Sequence, residues 1–193
     1  IECGVAHGGS LVFYASILAL IDYCNVRPVE SGKVSISDSA SMVIGIDIEL
    51  TSHNRQAILG HPLSDKITLI EGSSTDVEVV EQVRRFAEKA KTVMVCLDSN
   101  HSHQHVLAEL AAYGPMVSEN SYCVVFDTAI EDVQSEHENN RPWNPGDSPK
   151  TAIDEYLKDD AEYVIDSEID SRLLVSAAPG GYLRKISPNR IVS

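Results

Sequence analysis

Short apolar runs recur along the chain, separated by longer stretches in which apolar residues return every three or four positions. Runs of the first kind predict buried strands at residues 1–3, 42–47, 67–71, 93–98, 122–126, 163–165 and 173–176. The second kind predicts helices at residues 10–23, 52–59, 76–90, 103–113 and 150–157. Asp76 is placed to cap the third of these, because a carboxylate can accept from an open first-turn amide. Strands that are apolar throughout and alternate with helices predict an α/β fold, a mostly parallel seven-stranded sheet covered on both faces. Ligands of such sheets gather at the carboxyl ends of the strands.

Two stretches break this rhythm. Residues 25–41 are polar and serine-rich, as a surface excursion would be, and residues 131–148 turn from acidic to Asn-, Pro- and Gly-rich around the single Trp143. A long irregular segment inside a compact domain is a candidate lid over a substrate. The 193 residues suit one domain rather than two. The chain opens on Ile1, directly before a glycine-rich turn, so the expectation is that the start of the first strand and whatever precedes it belong to a longer protein.

Charge narrows the partners. Asp and Glu number 29 against 15 Lys and Arg, a formal net charge of −14. Such a field repels phosphate backbones, so no nucleic-acid partner is expected. No apolar run approaches the ~20 residues needed to cross a bilayer, and no basic amphipathic stretch suits a membrane surface. Cys3, Cys24, Cys96 and Cys123 include no CxxC pair. Three of them sit in or beside apolar runs, which suits reduced, packed thiols and a cytoplasmic location. A homo-oligomer is left open.

The chemistry-bearing residues fall just after predicted strands. Gly4, Gly8, Gly9 and Ser10 form the first corner, with Glu2 in the strand before it, and a helix follows whose open amides can face a ligand. The same glycines would equally serve a plain strand–turn–helix corner. Asp47 ends the second strand, where an acid can accept both ribose hydroxyls of an adenosine or can cap the next helix. Its distance from Gly8 is roughly twice that of the dinucleotide fold. Ser74 and Thr75 follow the third strand and can edge an adenine ring or simply turn the chain.

Asp98 follows the fourth strand and Asp127 the fifth, so their carboxylates can converge on one hard cation such as Mg2+. His101, three residues past Asp98, can take a hydroxyl proton at neutral pH. The run His101, His103, His105 invites a zinc reading, but no third soft ligand stands nearby.

Taken together, the stretches IECGVAHGGS, VIGIDIE, ITLIEGSSTD, VCLDSNHSHQHVLAEL, YCVVFDTAIED, RPWNPGDSPKTAIDEYL and LLVSAAPGGYLRKI resemble a class I S-adenosylmethionine-dependent methyltransferase. More narrowly, they resemble the family that groups rhamnosyl O-methyltransferases with cephalosporin-hydroxylase-associated proteins. The resemblance implies a Rossmann-like methyltransferase fold and O-methylation of a small-molecule hydroxyl, on a sugar or glycosylated natural product. It further implies that Gly4, Gly8, Gly9 and Ser10 hold the methionine part of S-adenosylmethionine with support from Glu2. By the same resemblance Asp47 holds the ribose, Ser74 and Thr75 line the adenine, Asp98 ligates metal and borders the cofactor, and His101 is the general base. One departure stands out: Phe126 occupies a position that is polar or acidic in metal-dependent relatives, leaving Asp127 alone, with Glu131 or Asp132 as replacements.

On this reading Asp98 and Asp127 clamp a cation or substrate, residues 141–148 cover the acceptor, and Trp143 and Tyr182 can stack on a sugar or pack in the core. Two other functions compete. A non-catalytic, cofactor-binding accessory to another enzyme is favoured by Phe126. A nicotinamide-dependent oxidoreductase is opposed by the GxxxGGS spacing and the lack of a Tyr-x-x-x-Lys pair.

Overall fold

The computed structural model describes residues 1–25, 41–132, 141–159 and 161–187. Most of the excursion at 25–41 and the middle of the stretch at 131–148 lie outside the described residues. The strands are β1 (Glu2–Cys3), β2 (Val43–Asp47), β3 (Ile67–Glu71), β4 (Val95–Leu97), β5 (Tyr122–Val125), β6 (Tyr163–Ile165) and β7 (Tyr182–Lys185). The helices are α1 (Gly9–Asn25), α2 (Ser52–Leu59), α3 (Val77–Ala87), α4 (His103–Tyr113), α5 (Pro149–Asp159) and α6 (Ser167–Leu173). The strands make a mixed, mostly parallel sheet, so the α/β class read from the sequence holds. The chain forms two compact units, Ile1–Ser74 and Thr75–Ser193.

In the first unit the strand order is β3-β2-β1 and all pairings are parallel. Helix α1 packs on these strands through Leu11 and Ala15, which join Val5, Val43, Leu50, Ile58 and Ile67 in a buried cluster. Fully burying a Leu or Ile contributes about 2 kcal/mol, so this cluster is what holds the helix to the sheet. Gly45 makes the approach feasible: a Cβ there would come within 2.5 Å of Leu11 and 2.9 Å of Val5. Paired strands leave Asp47 and Glu71 level at the carboxyl ends of β2 and β3.

In the second unit the order is β4-β5-β7-β6. The β4–β5 pair is parallel, whereas β7 lies antiparallel to both β5 and β6. Strand β7 is the last in sequence yet sits between two earlier ones. Its neighbours pack on a core that includes Val83, Val95, Leu110, Tyr113, Cys123, Val125, Ile153 and Leu183.

The expected strand at 173–176 is wrong. Asp166 accepts from the Glu168 amide and starts α6, which runs through Leu173. The apolar pair after it is exposed, Leu174 at 86% and Val175 at 91%, and Leu174 has a positive φ of 63°. Apolarity there does not mark burial, and the seventh strand comes later, at the alternating segment Tyr182–Lys185. Asp76 does precede α3, but its side chain makes no capping hydrogen bond.

Candidate active site

In the first unit, the turn after β1 is built around Asp47. Its Oδ2 accepts from the Val5 and Ala6 amides at 2.8 and 2.9 Å, and its Oδ1 from the Glu49 amide at 3.1 Å. The Asn54 side chain on α2 donates to the Ala6 carbonyl at 2.9 Å, tying the same turn from the other side. Gly4, Ala6 and Gly8 all have positive φ, so the chain doubles back before α1 begins. Gly8 cannot be replaced cheaply, because its φ is 78° and a Cβ would fall 2.4 Å from Ile58. Gly9, by contrast, faces open space at the start of α1.

Glu2 is almost fully buried in β1 and accepts from the Ser10 hydroxyl at 2.9 Å. A buried carboxylate needs such a donor. The pair links the strand to the first turn of α1. Ser74, buried, closes this unit, and Thr75 opens the next ahead of α3.

In the second unit, Asp98, His101 and Asp127 meet. Residues Leu97 and Val125 are paired across β4 and β5, so Asp98 and Phe126 leave the two strands at the same level. The residue after Phe126, Asp127, adopts a left-handed conformation with φ 56° and ψ 23°. Asp tolerates this region better than most residues. His101 Nε2 lies 3.3 Å from Asp127 Oδ2, and the three candidate donor atoms lie within 4.8 Å of one another. Two ligands across a cation with ~2.1 Å bonds stand at most about 4.2 Å apart, so the Asp98 and Asp127 oxygens fit a hard divalent ion after a small contraction, with His101 beside them.

The electrostatics agree with that fit. Partial burial desolvates Asp98, and the charges of Asp127 and then Glu109 repel its ionised form, raising its pKa to about 6. Burial likewise holds the His101 pKa below its ordinary value, opposed by Asp127 and aided by the nearby Arg141 charge. At neutral pH His101 is therefore a neutral base beside two carboxylates.

The segment 141–148 is fastened to this corner. Trp143 meets the His101 ring edge-on with centroids 5.0 Å apart, and Arg141 lies over Trp143 at 5.5 Å. Trp143 thus packs against the candidate base, with the Arg141 guanidinium over its ring. Glu131 accepts from the Ser148 hydroxyl at 2.6 Å and from the Gly146 amide at 2.9 Å, which lowers its pKa. Asp132 pairs with Lys150 at 2.8 Å. Of the two acids offered by the sequence as replacement metal ligands, Glu131 is thus engaged in holding this segment and Asp132 is paired with the start of α5. Tyr182, in β7, shares a hydrogen bond with Ser176 at 2.9 Å.

The histidine run does not make a zinc site. His101 precedes α4, so it shares no helical face with His105. His103 contacts Thr151 at 2.8 Å and Glu155 at 3.1 Å on α5. His105 lies 3.4 Å from Glu109. Glu109 itself escaped the sequence reading. Its signal is its spacing: Val106, Glu109, Leu110 and Tyr113 form one buried stripe of α4, with an acid inside it.

Comparison with known proteins decides the family. A family model described as Rhamnosyl O-methyltransferase/CmcI matches residues 1–186. The chain belongs to that family. Among family proteins, the Mycobacterium tuberculosis (strain ATCC 25618 / H37Rv) rhamnosyl O-methyltransferase is 30% identical over 187 residues, which are 95% of this chain and 65% of that protein. The Mycobacterium leprae (strain TN) rhamnosyl O-methyltransferase is 28% identical, with 95% and 69% covered. This chain thus spans 65% of the length of the first relative. A looser likeness is to the MycE methyltransferase of the mycinamycin pathway, solved with Mg, SAH and mycinamycin VI. It has a TM-score of 0.44 and 18% identity, and covers 77% of this chain and 37% of that one. The assignment rests on the family match and not on this likeness.

Proposed function

We propose that this chain carries the methyl-transfer domain of an S-adenosylmethionine-dependent O-methyltransferase acting on a hydroxyl of a sugar or glycosylated small molecule. The observation that carries the reading is the meeting of neutral His101 with Asp98 and Asp127 at the ends of β4 and β5. Membership in a family whose relatives are named rhamnosyl O-methyltransferases supports the sugar acceptor.

The first unit supplies a cofactor cradle: Gly4, Gly8, Gly9 and Ser10 for the methionine portion, Asp47 for the ribose and Ser74 for the adenine edge, with Thr75 beside it. Asp47 spends one lone pair on each of three amides, and a carboxylate has capacity for more. Glu2 holds Ser10 in place. In the second unit, a divalent cation such as Mg2+ held by Asp98 and Asp127 would lower the pKa of an acceptor hydroxyl. His101 accepts the proton of that hydroxyl as its oxygen forms the new bond to the methyl carbon and the carbon–sulfur bond breaks. The sulfonium is already activated, so the protein's work is alignment and proton removal.

The test is a methyl-transfer assay on rhamnosides and other glycosides with S-adenosylmethionine, with S-adenosylhomocysteine read by mass spectrometry. Transfer that disappears in His101→Ala and Asp98→Asn supports the reading. Phe126 favours one rival, a cofactor-binding accessory without activity of its own. Tight binding of S-adenosylmethionine with no transfer to any acceptor would decide for that rival.

A further inference from the structure

Glu109 is an expensive residue in its position. It lies on the face of α4 turned to the core, between Val106 and Leu110, and it is 0% exposed. An apolar side chain would occupy that place at lower cost, since burying a carboxylate is unfavourable by several kcal/mol unless it is well paired. Its hydrogen bond runs to the corner that carries the candidate site: Ser99 Oγ donates to Glu109 Oε1 at 2.6 Å. His105 Nε2 completes a three-membered cluster, 3.2 Å from Ser99 Oγ and 3.4 Å from Glu109 Oε1. Both contacts use the same ring nitrogen, so the cluster is not a relay that could activate Ser99 as a nucleophile.

Ser99 directly follows Asp98, and Asn100 accepts the Ser102 amide at 2.9 Å before α4 begins. The chain from Asp98 to His101 is therefore fastened on its inner side by Ser99 and Glu109. We propose that Glu109 is a positioning residue for this site: its buried carboxylate, acting through Ser99, sets where Asp98 and His101 stand and adds negative charge behind a bound cation. The role rests on the reading given under Proposed function and extends it to a residue that touches neither substrate nor ion. Partners of this kind, one shell behind the ligands, commonly govern ~10–100-fold in metal affinity.

Glu109→Leu and Glu109→Gln separate this role from a merely structural one. Leu suits a buried helix face, so this variant is expected to melt at or above the parent temperature. Its corner should nevertheless loosen: amides of Ser99–Ser102 exchange with solvent about tenfold faster while slowly exchanging amides elsewhere keep their protection. Mn2+, titrated by electron paramagnetic resonance as a probe of the hard-cation site, should bind ~10–100-fold more weakly. Gln keeps an acceptor for Ser99 and loses the charge, and should fall between the two. Ser99→Ala added to Glu109→Leu should cost nothing further. A stable Leu variant with parental exchange at Ser99–Ser102 and parental Mn2+ affinity overturns the proposal. A parent protein that takes up no Mn2+, with the corner still loosened in the Leu variant, removes the cation from the proposed function and upholds the positioning role.

Discussion

His101 Nε2 lies 3.3 Å from Asp127 Oδ2, although one residue follows β4 and the other follows β5. Parallel pairing of Leu97 with Val125 brings the two corners level. The left-handed conformation of Asp127 does the rest, because it ends the extended chain immediately after Phe126. The candidate base and the carboxylate beside it are thus brought together by backbone geometry.

Loss of the base should separate chemistry from binding. His101→Gln is expected to slow methyl transfer by ~10²–10⁴-fold, the usual contribution of a general base. S-adenosylmethionine affinity, measured by calorimetry, should stay at the parent value. A variant that turns over at the parental rate would remove His101 from the mechanism.

The backbone and the charge of Asp127 can also be told apart. Asn tolerates the left-handed region, so Asp127→Asn should keep parental stability while losing cation affinity and transfer rate. Asp127→Val must pay for the same φ of 56° with a β-branched side chain and should be destabilised by about 1–3 kcal/mol. Chemical denaturation of the two variants checks the contrast.

The raised pKa of Asp98 has a sign that stability measurements can read. The group is protonated in both folded and unfolded chains below its ordinary value of 3.8, and ionised in both above about 6. Ionisation is harder in the fold, so the cost to stability grows between those two values and is complete above about 6. Asp98→Asn should therefore stabilise the metal-free protein at pH 8 and progressively less as pH falls toward 4. Asp98 is open to water, so the gain should be on the order of 1 kcal/mol, well below the full value of the shift. Melting curves of parent and variant across this range test it, and a gain that grows toward acid contradicts it.

Asp47 is expected to matter twice. Asp47→Ala leaves the Val5 and Ala6 amides without their acceptor, at a cost of about 1–3 kcal/mol, and removes the proposed ribose contact. S-adenosylmethionine should bind at least ~10-fold more weakly. Asp47→Asn retains an acceptor oxygen for the turn and should recover most of the stability but less of the affinity. Equal affinity in all three proteins would exclude Asp47 from the cofactor site.

Where the sequence was readable, one physical cause dominated. Strands β3 and β6 and helices α2 and α4 fall at the residues expected of them, because apolar runs bounded by polar turns leave little choice. The corner at Asp98 and Asp127 was legible for a related reason: the sheet rule puts functional groups at strand ends, and register then brings them together. The final strand was not legible, because Leu173, Leu174 and Val175 imitate a strand while lying on a helix end and an exposed turn. Pairing with β5 and β6, a long-range property, selects Tyr182–Lys185 instead. Glu109 was hidden by the opposite error. Its charge reads as solvent-facing until the helix phase is fixed by Val106 and Leu110. The engagement of Glu131 and Asp132 by the 146–150 segment also depends on tertiary placement that spacing cannot supply.

The place of β7 between β5 and β6 has a bearing on synthesis at the ribosome. The residues that pair β1 with β2 and β2 with β3 have all emerged once residue 71 has. In the second unit β5 can pair with β4, but its other edge stays open and β6 has no described partner until Tyr182–Lys185 leaves the exit tunnel. The amino-terminal unit can therefore settle during translation, while the half bearing His101 and Asp127 waits for nearly the whole of this segment and must be shielded from misassociation in the interval.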